Sequence, residues 1–214
     1  EKELDLAEAE LSRANMMLLY ENGFSDFSSS GFCFIHKFLF GDVYEWAGQY
    51  RKINIQKREE LLAGRSVWYS NVTEIGADLD KVFAEIKKID WASLTREDFA
   101  KQIARLFPKL WQVHPFREGN TRTTVMMMTF FVEHYGYFFD QNLMAESAGY
   151  VRDSFVLASL GEHSEYEHLE KILLDAICIE PVDYDVTIVD ENQKERYEKY
   201  KSKDYTPTKH EYIE

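Results

Sequence analysis

Residues 114–134 read HPFREGNTRTTVMMMTFFVEH, and the change of character at Asn120 decides what fold can hold them. From Thr121 to His134 the chain is apolar nearly all round, with Met126, Met127 and Met128 in succession. A helix without a polar face belongs at the centre of a bundle, and Gly136 is a natural stop for it. Upstream, Phe99, Ile103, Leu106, Phe107, Leu110 and Val113 recur at helical spacing behind Thr95-x-x-Asp98, a capping-box start. Residues 114–120 therefore bridge two helices that face the core.

Working outward, Leu4 to Glu21 carries a helical apolar period that ends at Asn22-Gly23. The aromatic-rich stretch Phe32 to Trp46 predicts two short helices divided at Gly41-Asp42. Tyr50 to Gln56 alternates apolar and polar residues as a strand does, and Val67-Trp68-Tyr69 is its candidate partner. This gives a hairpin over Lys52–Ser70. An irregular loop fits equally, because Arg58 to Leu62 is compatible with a helix. Further helices are expected over Val72–Ile86, Met144–Ala158 and Ser164–Cys178. The fold class is all-α, a helical bundle with a small hairpin. Residues 1–180 form one domain, and 181–214 a charged, Tyr-rich tail. In that tail Asp190–Lys203 is a helix with Lys194/Glu198 and Glu195/Lys199 pairs at i,i+4.

The 214 residues are 45% apolar and 15% aromatic, enough for a real core, and they exclude collagenous, disordered and disulfide-scaffold classes. A net charge of −13 argues against nucleic acid as a partner, since phosphate-backbone binders present basic surfaces. Cys33 and Cys178 form neither a disulfide framework nor a zinc pattern. The longest apolar runs fall far short of the roughly 20 residues of a membrane span, and no secretory pattern opens the chain. A cytoplasmic protein with no membrane association is expected. The chain opens at Glu1 rather than Met, so an upstream segment stays open, as does homo-oligomerisation.

The chemistry concentrates in residues 114–122. Gly119 and Asn120 at a helix start leave backbone N–H groups unpaired and aimed outward, as phosphate-binding sites do, and Arg122 adds a planar cation one turn in. Glu118 beside such a cradle suits Mg²⁺, a hard ion that keeps most of its waters and is shared between one or two carboxylates and substrate phosphates. His114 titrates near neutrality and can accept a proton from an attacking hydroxyl, while Pro115 and Phe116 restrict the loop. Taken singly, each residue has a plain reading as a cap, a turn or a surface ion pair. His36, His134, His163 and His168 show no ligand spacing and read as structural or solvated.

The string His114-Pro115-Phe116-x-Glu118-Gly119-Asn120-x-Arg122 resembles the signature of the Fic family, HPFx[D/E]GNxRxxR. The likeness extends upstream through Ile35-His36, Phe40-Gly41-Asp42-Val43-Tyr44-Glu45-Trp46-Ala47-Gly48 and Arg51 to Asn54-Ile55 and Lys57, and covers about residues 10–180. It implies a helical bundle with a hairpin flap, and transfer of AMP from ATP to a Tyr, Ser or Thr hydroxyl of a target protein with Mg²⁺. By resemblance, His114 is the general base and Glu118 the metal ligand. Phe116, Arg117, Gly119, Asn120, Thr121 and Arg122 form the nucleotide site, Phe116 as the buried anchor of its loop. Tyr150 closes over the adenine, and the target docks on the flap at Lys52–Ser70 by strand addition.

The second arginine of the signature is Val125 here, and Thr121 stands where glycine is usual. Another donor carrying UMP, phosphocholine or a phosphoryl group therefore stays open. So do hydrolysis of an AMP–protein bond and a non-catalytic nucleotide-binding module. Thr187-Ile188-Val189-Asp190-Glu191-Asn192 matches the family's inhibitory pattern [S/T]xxxE[G/N], which makes Thr187, Glu191 and Asn192 a candidate brake.

Overall fold

The structure, a computed structural model, describes residues 2–181 and 199–200. In chain order its helices are α1 (Lys2–Asn22), α2 (Ser29–Phe40), α3 (Ile75–Lys87), α4 (Arg96–Val113), α5 (Asn120–His134), α6 (Gln141–Glu146), α7 (Ala148–Leu157) and α8 (Glu167–Ala176). Among the described residues one two-stranded antiparallel sheet pairs β1 (Phe138–Phe139) with β2 (Ile177–Cys178), Phe138 opposite Cys178 and Phe139 opposite Ile177. The fold class read from sequence is the one found: mainly helical, with one small sheet.

The described chain divides into two units. The first holds residues 2–55, 69–90 and 109–134; the second holds 56–68, 91–108 and the described residues from 135 onward. The division crosses α4 beside Pro108, the one residue of that helix with no N–H to give the preceding turn.

In the first unit α2 packs on α1, α3 and α5, and its Phe32, Ile35, Leu39 and Phe40 are buried. Ser28 caps α2 by accepting from the Gly31 N–H at 3.2 Å. Helix α5 is the central helix, buried without a break from Met126 to Val132. Its interior threonines are tolerated because each hydroxyl donates one turn back: Thr123 to Gly119 O at 2.9 Å, Thr124 to Asn120 O at 2.9 Å, and Thr129 to Val125 O at 3.0 Å.

In the second unit Thr95 caps α4 as its sequence promised, accepting from Asp98 N at 3.1 Å while its hydroxyl donates to the Asp98 carboxylate at 2.9 Å. Arg96 donates to Leu174 O at 2.7 Å and Ile177 O at 2.8 Å, satisfying carbonyls left over where α8 ends.

Several boundaries differ from expectation. No second helix follows Gly41. Residues 41–49 form turns instead, with Tyr44 stacked on Trp46 at 4.4 Å and the Gly48 N–H donated to His36 Nδ1 at 2.8 Å. The strand expected at Tyr50–Gln56 does not form. The segment 52–70 is a loop with one antiparallel bridge, Glu59 to Arg65, around a 3₁₀ turn at Glu60–Leu62, because the Arg51 N–H is drawn to Pro115 O at 2.7 Å rather than to a neighbouring strand. The helix expected over Met144–Ala158 is two, meeting at Ser147, which ends α6 and starts α7. The expected 164–178 helix gives up its last residues to β2. The tail helix at Asp190–Lys203 lies outside the described residues, apart from Lys199 and Tyr200. No helix among the described residues is long and apolar enough to cross a membrane.

Candidate active site

The bridge between α4 and α5 is held at three points, all inside the first unit. At its centre the Phe116 ring is fully buried, stacked on His36 at 3.8 Å and on Phe32 at 5.7 Å. At its start Arg51 donates from Nε to His114 O at 2.9 Å and from its backbone N–H to Pro115 O at 2.7 Å. At its end the His36 ring meets Glu118 O at 2.9 Å. The Gly48 N–H can only donate to His36 Nδ1, so the His36 proton sits on Nε2 and is given to Glu118 O. The Asn120 side chain closes the turn, accepting from Phe116 N at 3.0 Å and donating to Phe116 O at 2.9 Å.

This scaffold makes His36 a stability switch. Burial, only partly offset by its bond to Glu118 O, holds its pKa at about 4, against an ordinary 6.5. The unfolded chain therefore binds a proton that the folded chain refuses. Stability is full above pH 6.5 and falls as pH drops toward 4, by about 3 kcal/mol. Urea midpoints measured from pH 7 to 4 should show this slope, and His36→Gln, which keeps one donor and one acceptor, should flatten it.

His114 takes a left-handed backbone conformation, φ 50°, and is 3% exposed. Its ring lies 4.3 Å from that of Tyr69 and edge-on to Trp111 at 5.4 Å. Nδ1 is 3.3 Å from Trp111 O. A carbonyl accepts only, so Nδ1 carries the hydrogen and the basic lone pair is on Nε2. Trp111 is fixed in turn by its indole N–H, which donates to the Thr121 hydroxyl at 2.9 Å.

Around the start of α5, the backbone N–H groups of Arg117, Gly119, Asn120, Thr121 and Arg122 take no acceptor among the described residues. The first internal bond of this turn is Thr123 N to Gly119 O at 3.0 Å. Gly119 adopts φ 80°, and a Cβ there would stand 2.4 Å from the Phe40 ring. The Arg117 and Glu118 side chains are exposed, with Arg117 lying over the Trp46 ring at 5.2 Å.

Arg122 is already engaged: its guanidinium pairs closely with Glu8 of α1, donates to Ser12 Oγ at 2.8 Å and sits 4.7 Å over the Phe40 ring. The Tyr44 hydroxyl donates to the other oxygen of Glu8. Burial raises the Glu8 pKa, but the bonds from Tyr44 and Arg122 and the charge of Arg122 outweigh it, so the carboxyl titrates below its ordinary value. Removing the charge with Glu8→Gln should release the guanidinium and strengthen binding of an anion at the start of α5 about threefold to tenfold, as loss of a competing charge-assisted bond does. Calorimetric titration with pyrophosphate checks this.

Residues 26–132, half of the chain, match the Fic/DOC family. The chain belongs to that family. Over 110 residues it is 34% identical to a probable protein adenylyltransferase, y4lH, of Sinorhizobium fredii, a match spanning 50% of this chain and 54% of the relative. Over 155 residues it is 32% identical to a protein adenylyltransferase of Bartonella henselae, spanning 67% of this chain and 28% of that one. The chain thus covers about half or less of these curated relatives. The Fic fold is shared with BepC, a translocated effector of Bartonella tribocorum solved with bound AMPPNP, at TM-score 0.70 and 18% identity over 85% of this chain and 89% of the other.

Among the residues singled out in sequence, His114 through Arg122 converge within the first unit of the Fic chain. Tyr150 lies in the second, where its hydroxyl donates to His168 O at 3.2 Å and burial pushes its pKa up to about 12. Thr187, Glu191 and Asn192 lie outside the described residues. The sequence assigns no site role to Arg51, Glu8, Ser12, Tyr44 or Tyr69, and His36 reads there as structural or solvated. His36 carried a signal in hindsight, as an ionisable residue in the aromatic run Phe32–Phe40, whereas Arg51 sits beside Lys52 among polar residues and carried none.

Proposed function

We propose that the chain transfers AMP from ATP to a hydroxyl of a target protein, using residues 114–122. The observation that carries this reading is the set of amides opening α5 that take no acceptor among the described residues, beside a histidine whose Nε2 holds the lone pair. Such a helix start binds phosphate oxygens through N–H groups and the positive end of the helix. Adenylyltransferase names among relatives at 34% and 32% identity, and AMPPNP in a protein of the same fold, support the choice of an adenine nucleotide.

In this mechanism Nε2 of His114 takes the proton from the target hydroxyl as its oxygen attacks the α-phosphorus, and the bond to pyrophosphate breaks. Trp111 O, by holding Nδ1–H, keeps the lone pair on Nε2. The amides of Arg117 and of residues 119–122 hold the phosphates, and Arg117 and Arg122 are the cations able to meet negative charge there. Glu118, a single exposed carboxylate next to those amides, fits a hydrated Mg²⁺ that draws its other ligands from phosphate. When bound, that ion neutralises phosphate charge. The buried imidazole is reached only when a cover moves, and the Tyr69 ring at 4.3 Å is one such cover. The Lys52–Ser70 loop is the proposed docking segment for the target.

Glu191 is the proposed brake. Arg122, one cation it could pair with, is held by Glu8 in this structure, so Glu191 must compete for it or act elsewhere. Intact-mass analysis of a target lysate or of the chain itself, after incubation with Mg²⁺ and ATP, tests both ideas. A gain of one adenylyl group, larger with Glu191→Gly, is the expected result. A gain of another mass refutes the donor, and an equal signal from wild type and Glu191→Gly refutes the brake.

A further inference from the structure

We propose that Arg51 is a positioning residue that ties both roots of the 53–70 loop to the backbone of His114; this rests on His114 being the base. Arg51 is 2% exposed, and its side chain fans out to three separate stretches of chain. Nε donates to His114 O at 2.9 Å, Nη1 to Ile53 O at 2.8 Å, and Nη2 closely to Ser70 O, while the backbone N–H reaches Pro115 O at 2.7 Å. Each of these acceptors is a main-chain carbonyl. Arg51 therefore reads backbone position and not side-chain identity.

The geometry matters because of what each acceptor belongs to. Ile53 and Ser70 are the points, within the same unit as His114, between which the chain departs as residues 56–68 and returns. Ser70 follows Tyr69, whose ring lies on the His114 imidazole. His114 itself is in the left-handed region at φ 50°, a conformation that costs a non-glycine residue about 1–2 kcal/mol and persists only when neighbours impose it. The guanidinium is planar and rigid. A shift of either root by about an ångström must therefore break a bond or move the His114 carbonyl with it. A target held on the loop would thus set the attitude of the base before reaction. Burial lowers the Arg51 pKa, but a guanidinium keeps its charge in proteins, and that charge rests here on carbonyl dipoles.

A core arginine serving only stability would leave the folded state of His114 unchanged when replaced. The histidine ¹H–¹³C spectrum separates the two roles, with the His114 and His36 cross-peaks assigned through His114→Ala and His36→Gln. In Arg51→Lys, which keeps the charge and loses the fan, the His114 cross-peak should move as the Tyr69 ring is released, while the His36 cross-peak stays in place. In parallel, kcat for AMP transfer should fall at least tenfold, with the Kd for AMPPNP unchanged within threefold. An unmoved His114 cross-peak overturns the proposal, as does an unchanged kcat in an active enzyme. Where Arg51→Lys does not fold, Ser70→Gly loosens one root and leaves Arg51 in place. It should shift the same peak in the same direction by less, and a peak that does not move again overturns the coupling. If the wild type transfers nothing yet the peak moves, the adenylyltransferase reading fails and the tie stands. If it transfers AMP and the peak is still, the reverse holds.

Discussion

Replacing His114 with alanine is expected to lower AMP transfer by about 10²–10⁴-fold, the range for losing a positioned general base, while the Kd for a non-hydrolysable ATP analogue stays within about threefold. The two effects separate because the imidazole and the amides do different work. His114 precedes the N–H groups that take no acceptor among the described residues, and its ring is held by Trp111 O and packed against Tyr69 and Trp111 rather than standing among those amides. Alanine has no branched Cβ to add strain at φ 50°, and the bond from Arg51 goes to the main-chain oxygen, which any residue supplies. The loop should therefore survive the substitution. Single-turnover transfer and calorimetry on the same preparation check the split. Full activity in His114→Ala would remove the base from the mechanism, and a comparable loss of nucleotide affinity would mean that the imidazole contacts phosphate instead.

The parts of this site legible in sequence were those set by short-range chemistry. The string 114–122 displays a helix start, its glycine and its charges within one turn, and the unbroken apolar run to Val132 announces a central helix. What sequence could not display was the partner that each charged group finds across the fold. Arg122 stands in the sequence as a cation one turn into the helix, and its pairing with Glu8, more than a hundred residues earlier, is invisible there. Asn120 offers its main-chain N–H at the helix start, as its place in the sequence implies, but the use of its side chain to brace Phe116 is not visible there. The alternation at Tyr50–Gln56 looked like a strand because polar and apolar residues took turns. Arg51 breaks that pattern by turning its guanidinium inward to three carbonyls, something periodicity does not encode. The actual strands are two residues each, too short to carry a period at all.

Gly119→Ala should cost about 3 kcal/mol of stability and remove measurable nucleotide binding. Two separate penalties meet at this position. The backbone sits at φ 80°, where a Cβ costs about 1–2 kcal/mol. That Cβ would also approach the Phe40 ring at 2.4 and 2.6 Å, and forcing an extra carbon into a packed site costs about 1–3 kcal/mol. Phe40 is fully buried, so it has no solvent side to retreat to, and the ring also underlies the Arg122 guanidinium. Relief must come from moving the loop, which displaces the amides of Arg117 and of residues 119–122 from the arrangement proposed to grip phosphate. Gly136 separates the terms: its φ of 85° is equally unfavourable to alanine, but nothing lies within 4 Å of its Cβ position. Gly136→Ala should therefore lose only about 1–2 kcal/mol and bind nucleotide as wild type does. Urea denaturation and AMPPNP titration on the two variants side by side decide the matter. Equal losses in both would show that the Phe40 contact is absorbed without moving the loop, and that the close approach at Gly119 is not what sets the nucleotide site.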